Sequence, residues 1–172
     1  MKITNVVYRG RLSHQVDLRH LMSLIPNSKL RVGKPTQLCC SIEDGSKTKV
    51  FIFCGGGLRI MGMSIDSLIK ANDTMMTVLS HFTKEAPTLK LQTMTVTGKL
   101  ENWKSDYFIR LRDNEKLSVS FDFELFSALR ITHFNPVCVN IFSSGKIVLC
   151  GVKSITHADD IVSNINDTIQ RL

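Results

Sequence analysis

The sequence predicts an α+β fold of ten antiparallel strands and four helices, written as two copies of one unit. Three observations carry this. The stretch NIFSSGKIVLCGVKS at 140–154 has a near copy, FIFCGGGLRIMGMSI, at 51–65. The hydropathy period switches between strand-like and helix-like in the same order in both halves. Both alternating faces of the hairpin are apolar, Asn140, Phe142, Val148 and Cys150 on one side and Ile141, Ile147 and Leu149 on the other. That is more than a solvent-facing strand normally shows, so one face is expected to lie under helices and the other to receive a partner.

The repeat can be followed residue by residue. Phe53 matches Phe142, Gly56 matches Gly145 and Gly62 matches Gly151, each 89 positions apart. Upstream, ITNVVYRGRL at 3–12 matches LQTMTVTGKL at 91–100 with an offset of 88, so one loop insertion separates the two frames. An internal duplication follows, with its boundary near Ala86-Pro87: residues 1–85 form the first repeat and 86–172 the second.

The first repeat opens with a strand in which Ile3, Asn5 and Val7 point one way and Thr4, Val6 and Tyr8 the other. DLRHLMSLI then sets Leu18, Leu21, Met22 and Ile25 at helical spacing behind the cap candidate Asp17. TQLCCSI, KVFIFC and LRIMGM are strand candidates. SIDSLIKANDTMMTVLSHF closes the unit with an apolar stripe of Ile65, Leu68, Ile69, Met76 and Leu79. The second repeat keeps this order and ends in SITHADDIVSNINDTIQRL, where Thr156 and Asp159 suggest a capping box. Ala158, Ile161, Val162, Ile165, Ile169 and Leu172 form its stripe. Each unit is read as strand, helix, four strands, helix.

The totals narrow the function. With 172 residues and 43% hydrophobic content, the chain can bury a substantial core. No run approaches 18 apolar residues, and MKITNVVYRG lacks the apolar centre of a signal peptide, so a soluble intracellular protein with no membrane partner is expected. Five cysteines (Cys39, Cys40, Cys54, Cys138 and Cys150) form no CxxC pair and read as buried reduced thiols; five scattered histidines give no metal site. The net charge of +7 favours a polyanionic partner.

At ELFSALRITHFNPVCVNIFSSGKIVLCGVKS (124–154) and ITNVVYRGRLSHQVDL (3–18) the chain resembles the TATA-box-binding protein family. The duplication, element order and length agree over essentially the whole chain, which looks like a divergent member. The resemblance implies a saddle: a curved ten-stranded antiparallel sheet from two pseudo-symmetric repeats, with four helices on the convex face and DNA on the concave one. In that family phenylalanines wedge between base steps and bend the duplex from the minor groove, unstacking being offset by a larger wrapped surface.

Carried over position by position, the resemblance implies wedges at Phe126 and Phe142 at one end and Phe53 at the other. The partner place of Phe53 falls near Pro35 to Leu38, without an aromatic, so Phe51 stands as its substitute. Asn5 matches one of the family's central asparagines, and Thr93 replaces the other. Val7 and Val148 keep the apolar row, Thr95 replaces a valine, and Arg59 takes another valine place. Where the family has threonine before the hairpin glycine, this chain has Met61 and Cys150. Lys146 and Lys153 match phosphate-contacting lysines that Gly57 and Ser64 lack in the first repeat, so DNA contact is expected to weigh toward the second repeat. Asp122, Glu124 and Leu125 match the family's platform for transcription factor IIB. Trp103, the only tryptophan, is expected to pack where a helix starts on the sheet.

The resulting expectation is a sequence-preferring, minor-groove DNA-binding and DNA-bending general transcription factor. It would nucleate a promoter initiation complex on A·T-rich double-stranded DNA with a transcription factor IIB-like protein and the RNA polymerase machinery. The alternative is an interaction module within a transcription complex that has lost specific DNA binding. No base is paired with a nucleophile, so an enzyme is not expected, nor a cofactor, a metal or a small-molecule substrate. The divergence fits a large DNA virus or a divergent protist. The place of action would be the nucleus for a cellular protein, and a cytoplasmic viral factory or the virion for a viral one.

Overall fold

The computed structural model describes residues 1–41, 47–64, 87–122 and 124–171, together with 66, 69, 73, 76, 79 and 80. In chain order the elements are β1 (Lys2–Arg11), α1 (Leu18–Leu24), β2 (Ser28–Arg31), β3 (Gln37–Ser41), β4 (Lys49–Phe53) and β5 (Gly57–Gly62). These are followed by β6 (Lys90–Lys99), α2 (Ser105–Arg112), β7 (Val119–Asp122), β8 (Phe126–Ile131), β9 (Cys138–Phe142), β10 (Lys146–Val152) and α3 (Ile155–Gln170). The class is the α+β one expected, with ten strands whose described pairings are antiparallel.

The chain divides into two compact units: a first lobe, Asn5–Gln92, and a second lobe, Thr93–Leu172 with Met1–Thr4. In the first lobe the strand order is β2-β3-β4-β5-β1. Leu38, Cys40, Val50, Ile52, Leu58, Ile60 and Val6 alternate onto its inner face, all buried, and α1 lies against β2 and β3. In the second lobe the order is β6-β10-β9-β8-β7, and the buried inner face runs through Val96, Leu129, Ile131, Val139, Ile141, Ile147 and Leu149. There α3 packs against β10, with Ala158, Ile161, Ile165 and Ile169 buried. Burying each such branched side chain contributes about 1.5–3 kcal/mol.

The duplication holds at the level of single hydrogen bonds. In the first lobe's hairpin, the Gly56 N–H donates to Phe53 O at 2.8 Å, and the Leu12 N–H donates to Gly56 O at 2.8 Å. In the second, the Gly145 N–H donates to Phe142 O and the Leu100 N–H to Gly145 O, both at 2.9 Å. Gly56 and Gly145 sit at φ of +82° and +79°, a left-handed conformation open to glycine at little cost.

Asp17 caps α1 as expected, its carboxylate accepting from the Arg19 and His20 N–H groups. The structure departs from expectation in several places. Met22 is 41% exposed, because only Leu18 and Leu21 of the seven-residue α1 turn inward. The last helix is capped by Ser154 rather than Thr156: the Ser154 backbone is extended and its hydroxyl accepts from the His157 N–H at 3.0 Å, placing Thr156 in the first turn. Of the five cysteines expected to be buried only Cys39 and Cys40 are: Cys54 is exposed at the hairpin mouth, and Cys138 and Cys150 are half-buried on the strands. Of the fourth expected helix, Asp66, Ile69, Asp73, Met76 and Leu79 are helical, Leu79 fully buried and Ile69 exposed. Ile65 and Leu68 of its stripe, Leu172 of the other, and Ala86 at the expected boundary lie outside the described residues. No helix among the described residues is long and apolar enough to cross a membrane.

Candidate nucleic-acid interface

Antiparallel partners share a face of the sheet, so pairing register assembles the outward face of each lobe. In the second lobe, Thr97, Val148, Asn140, Arg130 and Ser120 stand in one row across five strands. A neighbouring row runs Thr95, Cys150 and Cys138. The Arg130 Nε–H donates to the Cys138 sulfur at 3.2 Å.

At the hairpin end of this face, the Phe126 and Phe142 rings meet edge to face, centroids 5.9 Å apart and planes at 70°. Phe126 is 47% exposed, an unusual state for a phenylalanine, and Leu125 beside it is 84% exposed. Lys146 opens β10 directly after the turn, with its ammonium 5.8 Å from the Phe142 ring centroid. Lys153 lies exposed just after β10, while Thr93, Thr95 and Val148 are half-buried. Trp103 packs where expected, at the entry to α2, and its indole N–H donates to Ser143 O at 2.9 Å. A methyl group added at Gly145 would stand 2.5 Å from the indole Cγ. The same side chain therefore holds the turn that leads into Lys146.

The acidic stretch before β8 is ordered by Asp122. The Asp122 carboxylate accepts from the Glu124 N–H at 3.1 Å and the Leu125 N–H at 3.3 Å. This bend projects Leu125 and leaves Glu124 exposed.

In the first lobe the row equivalent to Thr97-Val148-Asn140-Arg130-Ser120 reads Arg9, Arg59, Phe51, Cys39 and Lys29. Flanking it are Val7, Met61 and Lys49 on one side and Arg11, Gly57 and, through the Gln37 pairing, Phe53 and Arg31 on the other. Phe51 and Phe53 are half-buried, and the Arg59 guanidinium lies 6.0 Å from the Phe53 centroid. Asn5 is half-buried in β1; Val7 belongs to the face but is only 7% exposed. Gln37 faces Phe53 as Ala128 faces Phe142, so the place of Phe126 falls on Pro35. Phe53 thus has no ring beside it from β3.

Register also reveals residues that single-strand reasoning missed. Arg9, Arg11, Lys29, Arg31, Lys49 and Arg59 all lie on the first lobe's outward face, with no carboxylate among its described residues. Only Arg59 stands out from the sequence; the others sit on strands whose alignment to one another no local period reveals. Among the described residues, no group of three or more His, Cys, Asp or Glu side chains is arranged to hold a metal.

A family profile described as "Transcription factor TFIID (or TATA-binding protein, TBP)" matches residues 92–172. The chain is 27% identical over 183 residues to the TATA-box-binding protein of Methanococcus aeolicus, covering 100% of this chain and 95% of that one. It is 28% identical over 171 residues to that of Pyrococcus furiosus, covering 96% and 87%. Among solved structures, Methanococcus jannaschii TBP is similar with a TM-score of 0.83 and 26% identity, over 99% of this chain and 98% of that one.

Proposed function

We propose that this chain, a divergent member of the TATA-box-binding protein family, is a non-catalytic general transcription factor that binds A·T-rich double-stranded DNA in the minor groove, bends it and nucleates promoter assembly. The observation that carries this reading is the half-exposed Phe126 against Phe142, on a sheet face beside Lys146. Such a pair is built to enter a base step: unstacking costs a few kcal/mol, and the bend repays it in contact surface.

The remaining roles follow from chemistry and place. Phe142 and Phe126 wedge into DNA at the second lobe; Phe53, with Phe51 two residues before it on the same face, presses on DNA at the first. Asn5 reads the nearly symmetric acceptors of A·T pairs, and Val7, Val148, Thr93 and Thr95 fill the shallow groove floor. Lys146 and Lys153 hold phosphates, giving salt-dependent affinity by counterion release. Asp122, Glu124 and Leu125 form the surface for a transcription factor IIB-like protein, which links the bent DNA to RNA polymerase. The site of action is the nucleus for a cellular protein, or a viral factory or virion for a viral one.

The test is anisotropy and energy transfer with an end-labelled A·T-rich duplex across a salt series, using the full chain. Salt-sensitive binding with a bend that disappears in Phe126→Ala/Phe142→Ala supports the reading. Weak, unbent, sequence-indifferent binding would replace it with an interaction module that needs partners to act.

A further inference from the structure

Arg9 on β1 and Arg59 on β5 are direct cross-strand partners, and both side chains are exposed. Like charges placed opposite each other on a sheet destabilise it. Among the described residues no carboxylate pairs with either of them, whereas Arg110–Asp106 and Arg112–Asp113 do form ion pairs, both in the other lobe. The fold does not demand cations here, because the second lobe fills the same two register places with Thr97 and Val148, also direct partners. Next to the pair, Arg9, Arg11 and Lys90 line a hollow of about 410 Å³ together with Gly10, Gly57 and Thr88. Gly57 faces Arg11 across the strands and has no side chain to fill the space.

We infer that this cluster is a phosphate clamp: Arg9 and Arg59, supported by Arg11 and Lys90, grip the DNA backbone at the first lobe. The inference rests on the function proposed above and deepens it. Directly after its hairpin turn the first lobe has Gly57 where the second has Lys146, and the sheet-face arginines supply the anion contact from a different place. Guanidinium forks suit phosphate oxygens, and the Phe53 ring beside Arg59 helps to fix its plane. DNA binding is then shared by both lobes instead of being weighted to the second.

The experiment compares the full-length chain with Arg9→Gln/Arg59→Gln and Arg9→Lys/Arg59→Lys on one A·T-rich duplex. It records affinity against salt, bend by energy transfer, and melting temperature without DNA. Removing one cation that neutralises a phosphate should lower the slope of log K against log salt by about 0.9, so the glutamine pair should reduce it by roughly 1.8. The lysine pair should keep most of that slope, and DNA-free melting of the glutamine pair should hold or rise as repulsion is removed. A slope unchanged in the glutamine pair, with binding and bending intact, overturns the clamp and leaves the proposed function standing. An equal reduction in the lysine pair overturns it as well, since charge would then not be what the arginines supply. Failure of the parent chain to bind DNA in a salt-dependent way removes the function and the clamp together. As a second probe, Arg11→Gln/Lys90→Gln should lower the slope in the same direction, and an unchanged slope would confine the grip to the cross-strand pair and refute the hollow's part in it.

Discussion

Phe126 and Phe142 meet edge to face at 5.9 Å from neighbouring strands, yet Phe126 leaves almost half its surface in solvent. Two rings in this arrangement brace each other, contributing about 0.5–1.5 kcal/mol beyond burial. They gain more if a base step closes over them. Phe126→Ala should therefore cost folding only about 1–2 kcal/mol. DNA affinity should fall roughly ten- to hundredfold, the scale of losing an aromatic–base stack. Paired urea melts and binding isotherms measure both. Equal fractional losses in folding and binding would mean that the ring is a core residue.

Gly145 and Trp103 form the second coupled pair. A side chain at Gly145 must adopt φ near +79° and would press on the indole at 2.5 Å. Gly145→Ala should cost at least about 1–2 kcal/mol from the backbone alone, and the displaced indole should lose its bond to Ser143 O. Since Trp103 is the only tryptophan, its emission reports the change directly. An unshifted spectrum and an unchanged melt would show that the turn tolerates the substitution.

The duplication made much of this legible. The 89-residue offset placed Phe53, Gly56 and Gly62 on their counterparts, and the structure repeats the hairpin bond for bond. Alternation alone sorted Phe142 and Val148 from Ile141 and Leu149. Register between strands was not legible, because it is set by turns and by packing across the sheet rather than by any one segment. Arg9 opposite Arg59 was hidden for that reason, as was the row from Arg9 to Lys29. The cap at Ser154 was missed because Thr156 and Asp159 offered a local pattern that competed with a simpler one two residues earlier.

Asp17 supplies a pH prediction. Hydrogen bonds from the His20 and Arg19 backbone N–H groups hold its carboxyl below the ordinary carboxylate range. A depressed folded value means that the capping contribution is complete above the unfolded pKa near 4 and is lost as pH falls through the folded one. Asp17→Asn keeps an acceptor and removes the titration, so the melting temperature of the parent should drop more steeply between pH 5 and pH 2 than that of the variant. Parallel curves would mean that the carboxylate does not couple to folding.

The five cysteines should separate by accessibility and by thiol acidity. Cys54 is exposed, Cys138 and Cys150 are half-buried partners on the outward face, and Cys39 and Cys40 are buried. Burial pushes the Cys40 thiol up to about 12, with Cys39 adding to the effect. A raised folded value favours the neutral thiol, so this contribution is intact below an ordinary thiol pKa and erodes only as pH climbs toward 12. Pulsed alkylation followed by mass spectrometry should label Cys54 first and leave Cys40 unlabelled even near pH 10. If DNA lies on the outward face, a saturating A·T-rich duplex should slow labelling of Cys138 and Cys150 severalfold and leave Cys54 far less affected. Because these two thiols share the Thr95 row, unaltered labelling in the presence of bound DNA would place the duplex on some other surface of the second lobe.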